Sequence, residues 1–315
     1  KYFFRYASEF GFQSFPSVKT LETVTDDPRE LNPFSYVMEK HQRNYGGNGK
    51  IAKYMQAAYR YPENFSDFVY ASQLLQADGI RYGVEHYRRN RGRCMGAIYW
   101  QLNDCWPVIS WSSIDYYGRW KALHYYAKRF FAPVMLSCEE QSWMTVEADM
   151  NRQHFEFEKS IRLNVTNETL SARKVLVKFA VRDASAKILR QEERWVEVPA
   201  LSSVWMDKVE LPGIDCFNEY VSYEAWENEK IISQGTVIFS YPKYFHYQDP
   251  KLSVRVEGDE IIVSAEAYAK SVEIQNENDD LILEDNYFDM NAGERRVKIL
   301  DGKPENLKVR SVYDI

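Results

Sequence analysis

Near residue 132 the spacing of apolar residues changes from buried-type runs and helical repeats to alternation, and no single layer of secondary structure accommodates both patterns. Before that point, "YFFRYASEF" (2–10) reads as a short buried strand that Gly11 stops. A long helix is expected at about 66–90, where Phe68, Ala71, Leu75 and Tyr82 recur at helical spacing. Ser66 or Asn64 can cap it, and Asp67 suits its first turn. "RCMGAIYWQLND" (93–104) then reads as a second strand, near-continuously apolar as parallel strands are, and a helix over about 119–131 closes before Pro133. Strand, helix, strand, helix argues for βα units of a parallel sheet or barrel.

Beyond 133, Ile161, Leu163 and Val165, then Val175, Val177, Phe179 and Val181, then Val196 and Val198 alternate with polar partners, with turns at "NET" and "DASAK". Strands of this kind without helices predict an antiparallel β-sandwich. "YPKYFHYQDPK" (241–251) carries two prolines and suits a linker or domain entry. The short-strand pattern then resumes on a smaller scale to the end of the chain. The expected fold is therefore mixed, with a β/α portion at 1–132, a sandwich at 133–240 and a smaller sandwich at 241–315.

Charge follows the same division. Residues 1–132 hold 18 Lys+Arg against 12 Asp+Glu, net +6, and the remainder 22 against 34, net −12. The run "RRNRGR" (88–93) could serve nucleic acid, but Arg88, Arg89 and Arg91 also suit the last turn of a helix capped by Gly92, where cations complement the dipole. The second reading is preferred, so no nucleic-acid partner is expected. No apolar run approaches the roughly 20 residues of a membrane helix. Cys94, Cys105, Cys138 and Cys216 form no C-x-x-C pair. Cys94 and Cys105 bracket the second strand too far apart for a disulfide and should be free. His41, His86, His124, His154 and His246 have no metal-ligand spacing, and "GGNG" (46–49) lacks the Lys-Ser/Thr of a phosphate loop, so no cofactor is expected. The sequons at Asn64, Asn164 and Asn167 are read as chance. The chain begins at Lys1 and is taken as a piece of a longer protein. Its compartment stays open, an extracytoplasmic one slightly favoured over the cytoplasm.

In a parallel β/α arrangement functional groups gather at the carboxyl ends of strands. Both candidate strands end in polar residues, Ser8 and Glu9 on one and Gln101, Asn103 and Asp104 on the other. Residues 95–131 add eleven aromatics, among them Trp100, Trp106, Trp111 and Trp120. Aromatic faces stack on the C–H faces of sugars while Asn, Gln and Asp bond hydroxyls, so the combination suits a carbohydrate. A Tyr/Trp-rich stretch is also ordinary core packing; Trp100, at a strand end, has the better claim. Glu9 stands out because a carboxylate on a buried strand is costly unless paired or used. Glycoside hydrolysis by the usual route needs two carboxylates, and no convincing second one is found. The Asn-Glu pairs beginning at 167, 218, 228 and 276 all lie in the sandwich region and suit turns.

"SEFGFQSFP" (8–16) and "GAIYWQLNDCWPVISWSSIDYYGRWKALHYYAKRFFAPV" (96–134) resemble the β-mannosidases of glycoside hydrolase family 2, and "AYAKSVEI" and "DNYFDMNAGE" resemble their terminal immunoglobulin-like domain. The resemblance implies the carboxyl-terminal part of a (β/α)8 barrel followed by two immunoglobulin-like sandwiches. It implies that Glu9 is the nucleophile at the end of the seventh barrel strand. Trp100, on the eighth, walls the sugar subsite, and Gln101, Asn103, Asp104 and Trp106 share that motif as substrate-binding residues. The family's acid/base, in an Asn-Glu pair on the fourth strand, has no counterpart here. The implied substrate is a terminal β-mannoside or manno-oligosaccharide, the implied partner the amino-terminal part of the same protein. Two alternatives remain: a family 2 enzyme for a β-galactoside, β-glucuronide or β-glucosaminide, and a carbohydrate-binding sandwich module without catalysis.

Overall fold

The computed structural model describes residues 2–145 and 157–315. Packing divides the chain into two units, one of residues 1–7, 83–97 and 129–248, the other of residues 8–82, 98–128 and 249–315. The first elements are β1 (Ala7–Phe10), α1 (Val18–Leu21), α2 (Tyr36–Lys40), α3 (Gly47–Ala58), α4 (Phe65–Arg89), β2 (Ala97–Tyr99) and α5 (Ala122–Phe130). The expected strand, helix, strand, helix order is present, but α1, α2 and the twelve-residue α3, which the sequence reading did not expect, stand between β1 and α4. Asn64 rather than Ser66 caps α4, its side-chain oxygen accepting from the Asp67 amide at 2.9 Å.

The strands of this part are shorter and more open than the sequence indicates. Only four residues of 2–10 and three of 93–104 are strand, and Tyr2, Phe3, Phe4, Tyr6, Met95, Ile98 and Trp100 are exposed. Apolar runs of this kind predict burial on both faces, which requires neighbouring strands and covering helices. Here β1 and β2 form a sheet of two. They run parallel: Met95 N donates to Arg5 O at 2.9 Å, and Ala7 N to Gly96 O at 3.0 Å.

The basic run closes α4. Gly92 has φ 99°, which suits a glycine past a helix end. Arg88 donates to the carbonyls of Phe130 (2.6 Å) and Ala132 (2.9 Å), Arg89 pairs with Glu85 (3.3 Å), and Arg91 with Glu168 (2.6 Å). These cations are spent on packing within the first unit.

That unit also holds a sandwich, built from β3 (Val134–Gln141), β4 (Ser160–Asn167), β5 (Arg173–Asp183), β6 (Ile188–Val198), β7 (Ser202–Trp205), β8 (Val209–Glu210), β9 (Glu219–Glu227) and β10 (Lys230–Ile238). One sheet has the order β3-β4-β7, with β8 also paired to β4, and the other β10-β9-β5-β6. All nine of the alternating residues picked from the sequence, Ile161 to Val198, lie in its core. Alternation with period two sends every second side chain inward, and the sequence shows it where the intervening residues are polar, as Arg162, Lys178 and Glu197 are. Asn164 and Asn167 are fully buried, which removes them as glycosylation sites. Residues 241–248 are an ordered strap, with Phe245 buried.

The second unit ends in a smaller pair of sheets, from β11 (Ser253–Glu257), β12 (Glu260–Ala265), β13 (Ala269–Gln275), β14 (Ile282–Leu283), β15 (Phe288–Met290), β16 (Gly293–Asp301) and β17 (Lys308–Arg310). Their orders are β11-β12-β16-β14 and β15-β13-β17. Polar groups tie these strands to the helical segments of the same unit. Glu273 accepts from Tyr287 Oη at 2.6 Å and from Arg310, which also reaches Ser66 and Asp67 at 3.1 Å and lies over the Tyr70 ring. Ser17 donates to Asp279, whose carboxyl is pushed up to about 6 by burial and then by the nearby Glu273 charge.

A folded-state pKa raised from 3.8 means that the folded chain holds the Asp279 proton longer than the unfolded one. This group's contribution is therefore most favourable below about 4 and is lost as pH rises to about 6. Asp279→Asn is expected to stabilise the chain at pH 7.5 by at most about 3 kcal/mol, because holding the proton to about pH 6 instead of about 4 corresponds to about 1.4 kcal/mol per pH unit. The gain is expected to vanish near pH 4. Asn also tolerates the left-handed backbone at this position, φ 53°. Urea denaturation at the two pH values checks this, and an equal difference at both contradicts it.

Candidate functional site

Strand β1 delivers Glu9, and β2 leads directly into Trp100, the residue after its last. Trp100 N donates to Phe10 O at 2.8 Å, so the residue after Glu9 is bonded to the backbone of Trp100, and both side chains sit at the carboxyl ends of adjacent parallel strands. Both are exposed, Trp100 by 48%. This corrects the expectation of a buried Glu9: the carboxylate carries no burial cost here, and its claim rests on position. The peptide between Trp100 and Gln101 is cis.

Close approach fixes this junction. A Cβ on Gly11 would lie 2.5 Å from Trp100 O and 2.9 Å from Trp111 Cδ1, so only glycine lets the chain leaving β1 pass there. Gly11→Ala is expected to cost about 1–3 kcal/mol, as overpacking does. An unchanged denaturation midpoint contradicts the close approach.

After Trp100 the chain turns under itself. Gln101 Nε2 donates to Asn103 O and to Asp104 Oδ1, both at 3.1 Å; Ser110 Oγ donates to the same Oδ1 at 2.7 Å and Ser112 Oγ to Oδ2 at 2.5 Å. Asp104 is 7% exposed and its oxygens are engaged within the loop. Asn103 is exposed and pairs with Ile114 through the backbone. Trp106 is half-buried, stacked on His41 with ring centroids 4.9 Å apart and covered by Arg43 at 4.4 Å. The structure thus brings Glu9 and Trp100 to one edge and gathers Gln101, Asn103 and Asp104 into one turn, while Trp106 packs with α2 and its exit.

Sequence reasoning passed over Lys121. It is 1% exposed and donates to Ser14 O at 3.3 Å, in the loop that leaves β1. Burial pulls its pKa down to about 8, against the raising effect of the Asp104 and Asp115 carboxylates. Lys121 therefore supplies the positive charge beneath both the Glu9 loop and the Trp100 loop. Its only sequence signal was a lysine inside an aromatic run. Gln13, Gln42 and Asn44 form a second polar group, with Gln13 donating to Gln42 at 2.7 Å and Asn44 to Gln13 at 3.3 Å.

Among the described residues no cluster of His, Cys, Asp or Glu is arranged to hold a metal, and His154 lies outside them. Cys94, Cys105, Cys138 and Cys216 are free thiols. The Asn-Glu pairs fall at strand ends and turns, as at Asn228 and Glu229, both with positive φ.

Residues 159–244 match the family described as a mannosidase Ig/CBM-like domain, and residues 247–315 the Ig-fold domain of mannosidases. Beta-mannosidase B of Thermothelomyces thermophilus is 30% identical over 98% of this chain, which spans 39% of that relative's length. Beta-mannosidase of Capra hircus is 39% identical over 42% of the chain and 16% of its own length. The crystal structure of a beta-D-mannosidase from Dictyoglomus thermophilum superposes with a TM-score of 0.82 at 26% identity, over 98% of this chain and 37% of that one. An exo-chitosanase from Amycolatopsis orientalis, at 15% identity, TM-score 0.71 and coverage of 95% and 42%, shares the fold. In sequence and in fold, the chain matches the carboxyl-terminal part of the β-mannosidases of glycoside hydrolase family 2 and spans less than half of the length of these relatives.

Proposed function

We propose that residues 1–132 are the closing portion of a (β/α)8 catalytic barrel and that this chain carries the nucleophile of a retaining exo-β-mannosidase, followed by sandwiches at 133–240 and 241–315. The observation that carries the reading is the placement of Glu9 and Trp100 at the same end of two bonded parallel strands. Support comes from the names of the relatives, which are mannosidases over nearly the whole of this chain.

In the proposed reaction a Glu9 oxygen attacks the anomeric carbon from the face opposite the glycosidic oxygen, forming a glycosyl ester as that bond breaks. The leaving oxygen takes a proton from a second carboxylic acid contributed by a part of the barrel outside these 315 residues. That residue, now a base, removes a proton from water, which attacks the same carbon and frees Glu9 with net retention. Trp100 supplies an apolar wall for one sugar face. Gln101, Asn103 and Asp104 hold the loop beneath it, and Trp106 anchors the loop's far end; these are the proposed substrate-binding segment.

A chain without the proton donor and the other barrel strands is expected not to hydrolyse an unactivated β-mannoside. Steady-state assays of this chain beside a longer protein containing the whole barrel test this. Equal kcat/KM contradicts the division of roles, and a longer protein that prefers the galacto, glucurono or glucosamine aryl glycoside contradicts the sugar assignment.

A further inference from the structure

The outer face of the four-stranded sheet β10-β9-β5-β6 carries an apolar row that neither the core nor the proposed active site uses. Leu176 on β5 is directly opposite Trp195 on β6 and directly opposite Trp226 on β9; Trp226 in turn is opposite Ile231 on β10. Directly opposed residues project on the same face of a sheet. Their chain neighbours Val175, Val177, Val196 and Ala225 are in the core, so this row points outward. Trp195 is 62% exposed and Ile231 41%, while Trp226 is half-buried. A row of this kind on a surface strand is unusual enough to need a role.

Its dimensions and its fringe point to one class of ligand. Trp195 and Trp226 stand one strand apart on either side of β5, so their backbones are about 10 Å from each other, twice the strand spacing. That interval matches alternate rings of an extended β-1,4-linked pyranose chain. The fringe is balanced in charge: Lys174 pairs with Glu197 at 3.7 Å and Lys178 with Glu193 at 3.8 Å, and Glu224 accepts from Trp226 Nε1 at 2.8 Å. Donors and acceptors mixed beside aromatic rings suit a neutral polyhydroxyl ligand, whereas nucleic acid or an anionic membrane needs one sign of charge. Each indole face now holds a lysine ammonium, Lys174 at 5.5 Å from Trp195 and Lys178 at 5.1 Å from Trp226. Such exposed cation–π contacts are weak, and flexible stems let the ammonium groups move aside onto hydroxyls.

We propose that the Trp195–Leu176–Trp226 row is a carbohydrate platform that binds an extended, neutral β-1,4-linked oligosaccharide. It rests on the register of β5, β6 and β9, and stands or falls independently of Glu9.

Isothermal titration of the whole chain, carrying Glu9→Gln so that no ligand is consumed, with mannobiose, mannotriose, mannohexaose and cellohexaose tests it. A disaccharide reaches one indole and a trisaccharide reaches both, so Kd is expected to fall about tenfold between them, the value of one added stacking contact. Trp195→Ala is expected to abolish that step with unchanged near-ultraviolet circular dichroism outside the indole band and an unchanged melting temperature, since its side chain is mostly solvated. Trp226→Ala is expected to do the same to binding. No binding of any of the four sugars, no step between di- and trisaccharide, or affinity that survives the double variant overturns the proposal.

Discussion

Glu9→Gln, in a protein containing the whole barrel, is expected to lower kcat for dinitrophenyl β-mannoside by about 10⁴-fold or more, the scale on which loss of a covalent nucleophile is felt. The amide keeps the size of the side chain but cannot form the glycosyl ester. Urea denaturation of the variant beside its parent separates a chemical effect from unfolding. Glu9→Ala with sodium azide gives a sharper reading. Azide entering the vacated face attacks the anomeric carbon as dinitrophenolate departs, so the product is α-mannosyl azide, with inverted configuration. A loss of less than tenfold, or a β-configured azide, contradicts the assigned role.

Glu273→Ala is expected to destabilise the chain by about 3–5 kcal/mol, the cost of leaving a buried partner charge uncompensated. Glu273 is 2% exposed, and Arg310 beside it is held well above its ordinary pKa by the Glu273 charge despite the opposing effect of burial. Tyr287, whose hydroxyl donates to the same carboxylate, is pushed up by burial first and by that charge second. Removing the carboxylate strands the guanidinium with Asp67 as its remaining charged partner at 3.1 Å. The double variant Glu273→Leu with Arg310→Met is expected to recover most of the loss, because an apolar pair has no charge to desolvate. A single-variant loss under about 1 kcal/mol in urea titrations contradicts this account of what fastens β13 and β17 to the helical segments of their unit.

The contrast between Val175 and Arg310 shows what sequence carries and what it does not. Val175, Val177 and Phe179 announce their burial because apolar residues recur there with a period of two beside Lys174 and Lys178; the signal is local and each strand repeats it. Arg310 meets Glu273, Asp67 and Tyr70 across 37 to 243 positions, and nothing local distinguishes it from the other arginines. Helix α4 was legible from its periodicity, its cap and its basic end. The strands around it were misjudged, since an apolar run reports what a segment can bury and not what lies against it.

The site divides in the same way. Glu9 and Trp100 were visible because strand ends concentrate polar and aromatic groups in parallel β/α architecture. The burial argument for Glu9 failed, but its position beside Trp100 did not depend on burial. Asp104 was expected among the substrate-binding residues, and its oxygens are engaged by Gln101, Ser110 and Ser112. Those serines sit in "ISWSS", where no spacing rule marks them. Lys121 stayed hidden because its relation to Ser14 and Asp104 exists only once the loops have closed over it.

The assignment of Glu9 as nucleophile is tested most directly by trapping the covalent intermediate. Fluoride leaves without much help from a proton donor, so a 2-fluoro-mannosyl fluoride should label Glu9 and then turn over slowly. Intact-mass measurement of the barrel-containing protein is expected to show one added 2-fluoro-mannosyl group. Peptide mapping is expected to place the label on Glu9, and the galacto-configured reagent to add nothing. A label on a different carboxylate, or none in a protein that still hydrolyses dinitrophenyl β-mannoside, contradicts the assignment.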